Sequence, residues 1–334
     1  MGIRRILQRA YHLGERVVRE GRALPGRWRT FGSKVALETF WDGLIPPGKS
    51  LRYIHTIEEY VDKAMVSVVE QYEHQTDESM LPQVGEKIPV WCCWWQGEEQ
   101  MPELVKMCQA RLKQVLPGDR AELHLITLDN FRQYVDLPAH ILEKFEKKII
   151  TMTTMSDVLR FALLKKYGGY WLDATVFFTG AIPEEYFSGN FYCQKMAGNT
   201  AYSQREACRS NWCGFSMAGP KESIVFRYMC DAFSHWWENF DTIIDYVLID
   251  YLLWSGFKKI PTIHRIIDAV PDNNEDIFEM YQVLNQPYSP ELMERLTKRN
   301  VMHKLTYKMD LYRQTSDGRL TLFGYLWNQV FGLE

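Results

Sequence analysis

Three charged residues in the segment TTMSDVLRFALLKKYGGYWLDAT (residues 153–175) have the types and spacing of a site for a polar ligand. Asp157 and Arg160 are three residues apart, so on a helix they share one face. Asp173 stands in an apolar run, where an unpaired carboxylate is costly to bury. An aspartate at a strand end is suited to a ribose hydroxyl or to a metal bound by phosphates. The alternative is structural: Asp157 caps the helix and Arg160 is its ion-pair partner.

The surrounding chain has the pattern of a parallel α/β fold. Apolar runs predict strands over 88–95 and 121–129, with a helix from Pro102 to Leu116 between them. Ser156 and Asp157 are expected to open a helix that ends at Gly168-Gly169, after which YWLDATVFF returns as a strand. Asp173 would then lie near the C-terminal end of that strand, where open α/β sheets bind their ligands.

These segments resemble the capsular polysaccharide synthesis proteins, which are grouped with glycosyltransferases that carry a DXD sugar-binding motif. The likeness is carried by SDVLRFALLKKYGGYWLDAT and extends to IPVWCCWWQGEEQMPELVKMC, DYVLIDYLL and MHKLTYK, over residues 85–310. The resemblance implies a GT-A fold, which is α/β with a mixed, mainly parallel central sheet and added helices. It also implies sugar transfer from a nucleoside-diphosphate donor with retention of configuration. Mn²⁺ or Mg²⁺ would be the cofactor and would stabilise the departing diphosphate.

The same resemblance assigns roles to the central residues. It implies that Asp157 contacts the hydroxyls of the donor sugar, that Arg160 contacts the sugar or diphosphate, and that Asp173 contacts the ribose and the metal. Ala174 and Thr175 complete the motif, and Thr175 stands where the DXD pattern has its second aspartate. A hydroxyl is a much poorer cation ligand than a carboxylate. Another residue therefore completes the metal site, or the metal binds weakly, or cations of the protein neutralise the diphosphate.

Two residues of MHKLTYK bear on those alternatives. The resemblance implies that His303 joins Asp173 and Thr175 as a metal ligand, and Lys304 is suited to neutralise the donor phosphates. The competing interpretation is that both are ordinary surface residues.

Two further groups complete the predicted site. Trp95, Gln96 and Gly97 close the first strand and are expected near the base or ribose, with Trp95 either stacking on the base or packing in the core. Asp250 and Tyr251 lie on the helix of DYVLIDYLL, where they either contact the acceptor or are ordinary helix residues.

The composition excludes some classes of protein. The chain has 334 residues and a formal net charge of −3, which gives no indication of nucleic-acid binding. It contains no apolar run long enough to predict a transmembrane helix. Its seven scattered cysteines lack a CxxC pair, which argues against a zinc site and favours reduced thiols in the cytosol.

The N-terminal segment predicts an appendage to the main domain. Arginines lie mostly off an apolar stripe in the first residues, as in a helix that lies on an anionic membrane, or in a surface helix packed on its own domain. Residues 24–50 are rich in proline and glycine and are expected to be irregular. We predict an N-terminal helix with an irregular linker over 1–50 and a GT-A domain over 51–334.

The leading hypothesis is a cytoplasmic glycosyltransferase that builds a surface polysaccharide. Its donor would be a nucleotide sugar, with a UDP-sugar expected, and its acceptor a glycan. Residues 1–30 would hold it on the inner face of the cell membrane. One alternative is a nucleotide-sugar-binding protein that has lost catalysis, as Thr175 suggests, and another is a transferase that acts on a protein acceptor. A dinucleotide-binding dehydrogenase is poorly supported, because no GxGxxG follows a strand.

Overall fold

The structure, a computed structural model, describes residues 2–44, 49–82, 85–196 and 206–333, with side chains from residue 13 onward. Its central sheet has five strands in the order β2-β1-β3-β6-β5. They are β1 (Ile88–Cys93), β2 (Ala121–Ile126), β3 (Gly169–Leu172), β5 (Tyr192–Cys193) and β6 (Ser216–Gly219). Strands β4 (Val176–Phe178) and β7 (Met302–Lys304) pair separately and antiparallel.

The sheet is mixed, and most of its strands point the same way. Strand β1 is parallel to both β2 and β3, and β6 is antiparallel to β3 and to β5. It follows that β5 runs in the direction of β3, so β6 alone is reversed within this sheet. This confirms the predicted fold class: α/β, with a mixed, mainly parallel central sheet and added helices.

Helices cover the sheet and form the N-terminal part of the chain. Before β2 they are α1 (Gly2–Leu44), α2 (Leu51–Ala64), α3 (Val66–Tyr72) and α4 (Glu103–Val115). Between β2 and β6 they are α5 (Phe131–Tyr134), α6 (Ala139–Glu146) and α7 (Met152–Tyr167). After β6 they are α8 (Ile224–Asn239), α9 (Leu248–Lys259), α10 (Pro261–Asp268), α11 (Glu279–Gln282), α12 (Pro290–Thr297) and α13 (Leu322–Phe331). Two single 3₁₀ turns cover Glu98–Gln100 and Glu184–Phe187.

The expectation of irregular chain over 24–50 is wrong for residues 24–44. Helix α1 continues through Pro25 to Leu44 and departs from helical geometry at Gly32, with φ 82°. The chain packs on the body on both sides of this break, since Phe31 and Val35 are buried in the main core. Pro25 therefore does not end the helix, whereas Gly32 does interrupt it, and packing keeps the chain helical on either side. Residues 45–48 lie outside the described residues, and the domain boundary at residue 50 stays a prediction.

The expected strand YWLDATVFF is two strands joined by a turn. Strand β3 ends at Leu172, the amide of Val176 donates to the carbonyl of Asp173 at 3.0 Å, and β4 pairs with β7 instead of continuing in the central sheet. Asp173 therefore lies in a turn at the carboxyl end of β3. Its side chain does not have to point to one of the two faces of the sheet, as it would within a strand.

The link between α7 and β3 depends on two glycines. Gly168 and Gly169 have φ of 68° and 95°, a region that side-chain-bearing residues rarely adopt. A β-carbon on Gly169 would lie 2.1 Å from the carbonyl oxygen of Pro89 in neighbouring β1. The glycine pair thus allows α7 to reverse directly into a strand at the centre of the sheet.

We expect Gly169→Ala to destabilise the protein strongly. The added carbon meets rigid backbone and the residue must keep a strained φ, so the loss in unfolding free energy should be about 3 kcal/mol or more. Chemical denaturation followed by circular dichroism measures it. Gly118→Ala is the matched control, because nothing lies within 4 Å of its β-carbon position. Equal midpoints for the two variants would contradict this account of the turn.

Candidate active site

The helix–turn–strand unit brings Asp157, Arg160 and Asp173 together. Helix α7 spans ten residues between Asp157 and its end at Tyr167, or about 15 Å at 1.5 Å per residue. The return from Gly168 to Asp173 spans five residues, or about 16 Å in extended chain. The two segments have nearly equal length and opposite direction, so the early turns of α7 lie beside the carboxyl end of β3. The helix begins at Met152 with Thr151 as its cap, so Ser156 and Asp157 lie in its second turn and do not open it.

Asp173 is held by three donors. Its Oδ2 accepts from Nζ of Lys304 at 2.7 Å, and its Oδ1 accepts from the indole of Trp171 at 3.0 Å and lies 3.4 Å from Nη2 of Arg160. Its side chain is 32% exposed, so the carboxylate is paired and still open to solvent. The burial question raised by the sequence is thereby answered: Asp173 is partly buried, and its carboxylate is fully paired.

The surrounding charges keep Asp173 ionised. Burial acts to raise the pKa of this carboxyl, but the cations of Lys304 and Arg160 and the bonds from Lys304 and Trp171 outweigh it and lower the pKa to about 2. The carboxylate is therefore negative at all physiological pH values and can accept hydrogen bonds from sugar hydroxyls.

Arg160 is the buried centre of the site. Its side chain is 5% exposed, and its guanidinium pairs with Asp157 at 3.1 Å as well as with Asp173. The guanidinium carbon lies 5.1 Å from the ring centre of Trp171, and a β-carbon on Gly214 would come within 3.0 Å of Nη1. The planar fork of arginine suits this bridging between two carboxylates. Arg160 therefore fixes the relative positions of Asp157 and Asp173.

Lys304 enters the site from the small sheet. Strand β7 pairs with β4 in a register that places Lys304 opposite Val176, directly after the Asp173 turn. Its Nζ donates to Thr175 Oγ1 at 2.8 Å in addition to Asp173, and it lies 5.0 Å from the ring centre of Phe215. The predicted donor-site residues Asp157, Arg160, Asp173, Thr175 and Lys304 are thus brought together. Ala174 lies in the same turn, with its carbonyl accepting from Gln109 at 3.4 Å.

His303 lies on the other face of β7. Successive residues of a strand point to opposite faces, so the side chain of His303 points away from that of Lys304. The imidazole is 1% exposed, its Nε2 lies 3.5 Å from Oγ1 of Thr179, and burial lowers its pKa to about 4. The structure therefore does not place His303 beside Asp173 and Thr175.

Asp250 approaches the site from α9, whereas Tyr251 does not. Oδ1 of Asp250 accepts from the indole of Trp212 at 2.9 Å, and its carboxylate interacts electrostatically with Arg160 and Asp157. Tyr251 is buried, and Nζ of Lys49 lies 5.9 Å from its ring centre. Asp250 thus borders the α7 side of the site, while the next residue packs in the core. Their predicted contact with an acceptor stays a prediction.

The pKa values of Asp157 and Asp250 predict a pH-dependent stability. Burial raises the pKa of each carboxyl to about 7, whereas an aspartate of the unfolded chain titrates near 4. From about pH 4 to about pH 7 the folded protein holds more protons than the unfolded chain, so these groups lower the unfolding free energy as the pH rises through that window. Urea denaturation at several pH values measures the slope. Asp250→Asn should flatten it and the exposed-site control Asp272→Asn should not. An unchanged slope in Asp250→Asn would contradict the raised pKa.

The three residues after β1 lie in different environments. Trp95 is buried between Phe131 and Phe145, with ring centres 5.5 Å from each, and its indole donates to the carbonyl of Met152. This is the core position that the sequence left open as an alternative. Gln96 is exposed, and Gly97 turns the chain with φ 83°.

The neighbouring tryptophan has the better position for a ligand. Trp94 is half-buried, packs against the cluster that contains Ala174, and meets Tyr307 edge-on at 5.5 Å between ring centres. Its indole nitrogen is buried without a partner. Sequence reasoning missed Trp94, Tyr307 and Phe215. The available signal was that Trp94 and Tyr307 belong to the segments IPVWCCWWQGEEQMPELVKMC and MHKLTYK, but only the fold shows which aromatic rings lie near the Asp173 turn.

The motif does not fit a divalent metal. Mg²⁺ and Mn²⁺ prefer several oxygen ligands, chiefly carboxylates. Here one carboxylate and one hydroxyl both bond the ammonium of Lys304, which has no lone pair to offer. Over residues 2–44, 49–82, 85–196 and 206–333, no group of three or more His, Cys, Asp or Glu side chains is placed to hold a metal ion. The predicted requirement for Mn²⁺ or Mg²⁺ stays a prediction.

The fold and site together define an α/β protein with paired carboxylates and cations at the carboxyl end of its sheet. The chain belongs to the family of capsular polysaccharide synthesis proteins, whose family model matches residues 50–325. This confirms the resemblance seen in the sequence.

Comparison with individual proteins adds little. One solved structure, titled "PaToxG Glycosyltransferase", is similar with 12% identity and a TM-score of 0.36, over 84% of this chain and 97% of that chain. A TM-score this low supports no conclusion about the present chain. No curated protein matches it.

Among the described helices, none combines the length and apolar character needed to cross a membrane.

Proposed function

We propose that the protein is a glycosyltransferase that moves a sugar from a nucleoside-diphosphate donor to a glycan acceptor in capsule or surface polysaccharide synthesis. The observation that carries this proposal is the constellation of Asp157, Arg160, Asp173 and Lys304 at the carboxyl end of β3. It combines acceptors for sugar hydroxyls with cations for a diphosphate, and membership of the capsular family supports the same assignment.

Each side chain has a role that its position suits. Asp157 and Arg160 bind hydroxyls of the donor sugar, Asp173 binds the ribose, and Lys304 contacts the diphosphate. The base stacks on the half-buried ring of Trp94. Asp250 borders the acceptor side.

In the reaction the bond from the anomeric carbon to the diphosphate breaks, and its electron pair leaves with the diphosphate. The acceptor oxygen forms the new bond, and a diphosphate oxygen takes the acceptor's proton.

A hydrolysis screen tests the proposal. The full chain is incubated with UDP-, GDP-, CDP- and ADP-sugars, each with Mn²⁺ and with EDTA, and released nucleoside diphosphate is measured. We expect turnover of one donor class, with a UDP-sugar and a retained configuration as our specific expectations. Binding of a donor without release or transfer would favour the alternative of an inactive nucleotide-sugar-binding protein. Absence of both binding and release would contradict the proposal.

We also propose that the N-terminal helix places the enzyme on the inner face of the cell membrane. Large apolar side chains of α1 are exposed: Leu13, Val17, Val18, Trp28, Leu37 and Trp41. Arg19, Arg22 and Arg29 are exposed on the same helix. Tryptophan and arginine together suit the interface of an anionic bilayer. The predicted contact of residues 1–30 is consistent with this surface for residues 13–30, while the side chains of residues 1–12 lie outside the described part.

Replacing the two exposed tryptophans should release the protein from vesicles. Trp28 and Trp41 are 50% and 57% exposed, and their loss in Trp28→Gln/Trp41→Gln should weaken binding to phosphatidylserine-containing vesicles by about tenfold or more. Co-sedimentation measures the bound fraction. Tyr312→Gln is the control, because Tyr312 is also 57% exposed but lies on another part of the chain. Equal bound fractions for the two variants would rule out docking through α1.

A further inference from the structure

The ammonium of Lys304 lies between the side chains of Asp173 and Thr175. In a DXD motif, the two residues at these positions are aspartates that bind a metal. The two side chains of the Asp173-Ala174-Thr175 motif both point to Nζ of Lys304, at 2.7 Å and 2.8 Å. A divalent cation placed between those two oxygens would meet an ammonium that repels it and offers it no lone pair. The motif therefore already has a cation, and that cation belongs to the protein.

The charge of the motif agrees with this arrangement. A second aspartate at position 175 would leave a net negative charge beside Lys304 and would call for a metal. Thr175 is neutral, so within the motif the single charge of Asp173 is balanced by Lys304, while Arg160 is shared between Asp157 and Asp173. A hydroxyl at position 175 therefore suits a motif in which Lys304 is the cation, because the motif then has no excess negative charge. The ammonium of Lys304 is thus the cation beside the motif that an anionic diphosphate can contact.

Lys304 is also fixed well enough to act as a site cation. Strand β7 is held by its pairing with β4, and the amide of Lys304 donates to the carbonyl of Ile277 at 2.9 Å. The ring of Phe215 lies under its Nζ at 5.0 Å. The side chain is 18% exposed, so its ammonium is held in place and a ligand can still reach it. The alternative ligand, His303, points to the opposite face of the same strand.

From this geometry we propose that Lys304 replaces the divalent metal: it binds the donor diphosphate directly and stabilises its charge as the sugar leaves. This proposal rests on the proposed transferase function. It predicts that donor binding and transfer need no Mn²⁺ or Mg²⁺, and that neutral Thr175 is the hydroxyl partner that orients the ammonium.

Calorimetry with the full chain tests the proposal without relying on turnover. UDP, GDP, CDP and ADP are titrated in excess EDTA and again in Mn²⁺. We expect one of them to bind in EDTA with an affinity within about threefold of that in Mn²⁺, since a direct ammonium–phosphate contact supplies the charge-assisted bond. Binding that is lost in EDTA and restored by Mn²⁺ would overturn the role of Lys304 while leaving the transferase proposal intact. Absence of binding in both conditions would overturn both proposals.

Variants of Lys304 test whether this residue is responsible for binding the diphosphate without a metal. Lys304→Met should weaken diphosphate binding by about tenfold or more in EDTA, and Lys304→Arg should recover part of it, because arginine keeps the charge. The control is Lys308→Met, since Lys308 is an exposed lysine of the same segment. Thermal unfolding checks that each variant is folded, and the metal comparison on the wild-type chain stands independently of them. Unchanged affinity in folded Lys304→Met, or a loss of Mn²⁺ affinity in His303→Ala, would contradict the proposal.

Discussion

Asp173→Asn is expected to reduce kcat/KM for sugar transfer by about a thousandfold while the protein remains folded. Asparagine has the same shape and can still accept from the indole of Trp171, but it lacks the negative charge that pairs with Lys304 and Arg160. Both cations would then move, and the hydrogen-bond acceptor for the donor ribose would be weakened. The effect is large because the residue both binds the donor and positions the two cations.

The measurement is steady-state transfer, or donor hydrolysis where the acceptor is not yet known, with circular dichroism as the test of folding. Asp129→Asn is the matched control, because Asp129 is an exposed aspartate that follows the neighbouring strand β2. We expect the control to keep wild-type rates. Near wild-type turnover in Asp173→Asn would remove Asp173 from the mechanism and with it the assignment of this turn as the donor site.

Arg160→Met is expected to have the largest effect on stability within the site. The substitution removes the buried guanidinium and leaves Asp157, whose side chain is 18% exposed, without its ion-pair partner; breaking such a pair lowers the unfolding free energy by about 3 kcal/mol. Arg160→Lys should recover only part of this, because a single ammonium cannot bridge both carboxylates as the guanidinium does.

Urea denaturation measures both variants. Arg132→Lys provides the control, since Arg132 also pairs with a carboxylate, that of Glu146 at 2.6 Å, but both side chains are more than half exposed. Exposed pairs contribute about 1 kcal/mol or less, so the control should be close to wild type. If Arg160→Met were no less stable than Arg132→Lys, Arg160 would not be the residue that holds the two carboxylates together.

The central part of the site could be predicted from the sequence because it is local. Asp157, Arg160 and Asp173 belong to one helix–turn–strand unit. The glycine pair between the helix and the strand predicts that the chain reverses direction there. The spacing on either side of that pair sets which residues become neighbours. The predicted convergence of these three residues therefore needed no knowledge of the rest of the fold.

Contacts between distant segments were harder to predict. Lys304 is brought to the Asp173 turn by the pairing of β7 with β4, which the sequence did not indicate. Once that pairing exists, strand alternation decides that Lys304 faces the motif and His303 faces away. A shift of one residue in register would exchange their positions, and the sequence does not reveal the register.

The remaining differences come from packing. The choice between Trp94 and Trp95 depends on which ring Phe131 and Phe145 enclose, and these residues are distant in sequence. Similarly, α1 continues through Pro25 and resumes after the break at Gly32, where Phe31 and Val35 bury against the body of the protein. Local residue preferences are weak compared with such burial, so sequence patterns alone overstate the breaks.

The most direct test of the donor-site assignment is a crystal structure with the nucleotide sugar that the hydrolysis screen identifies. We expect the sugar hydroxyls within hydrogen-bond distance of Asp157 and Arg160, the diphosphate against Lys304 and the base against Trp94. A donor bound elsewhere, such as in the cleft lined by Met80, Pro89 and Lys221 at the opposite end of the strands, would contradict the account.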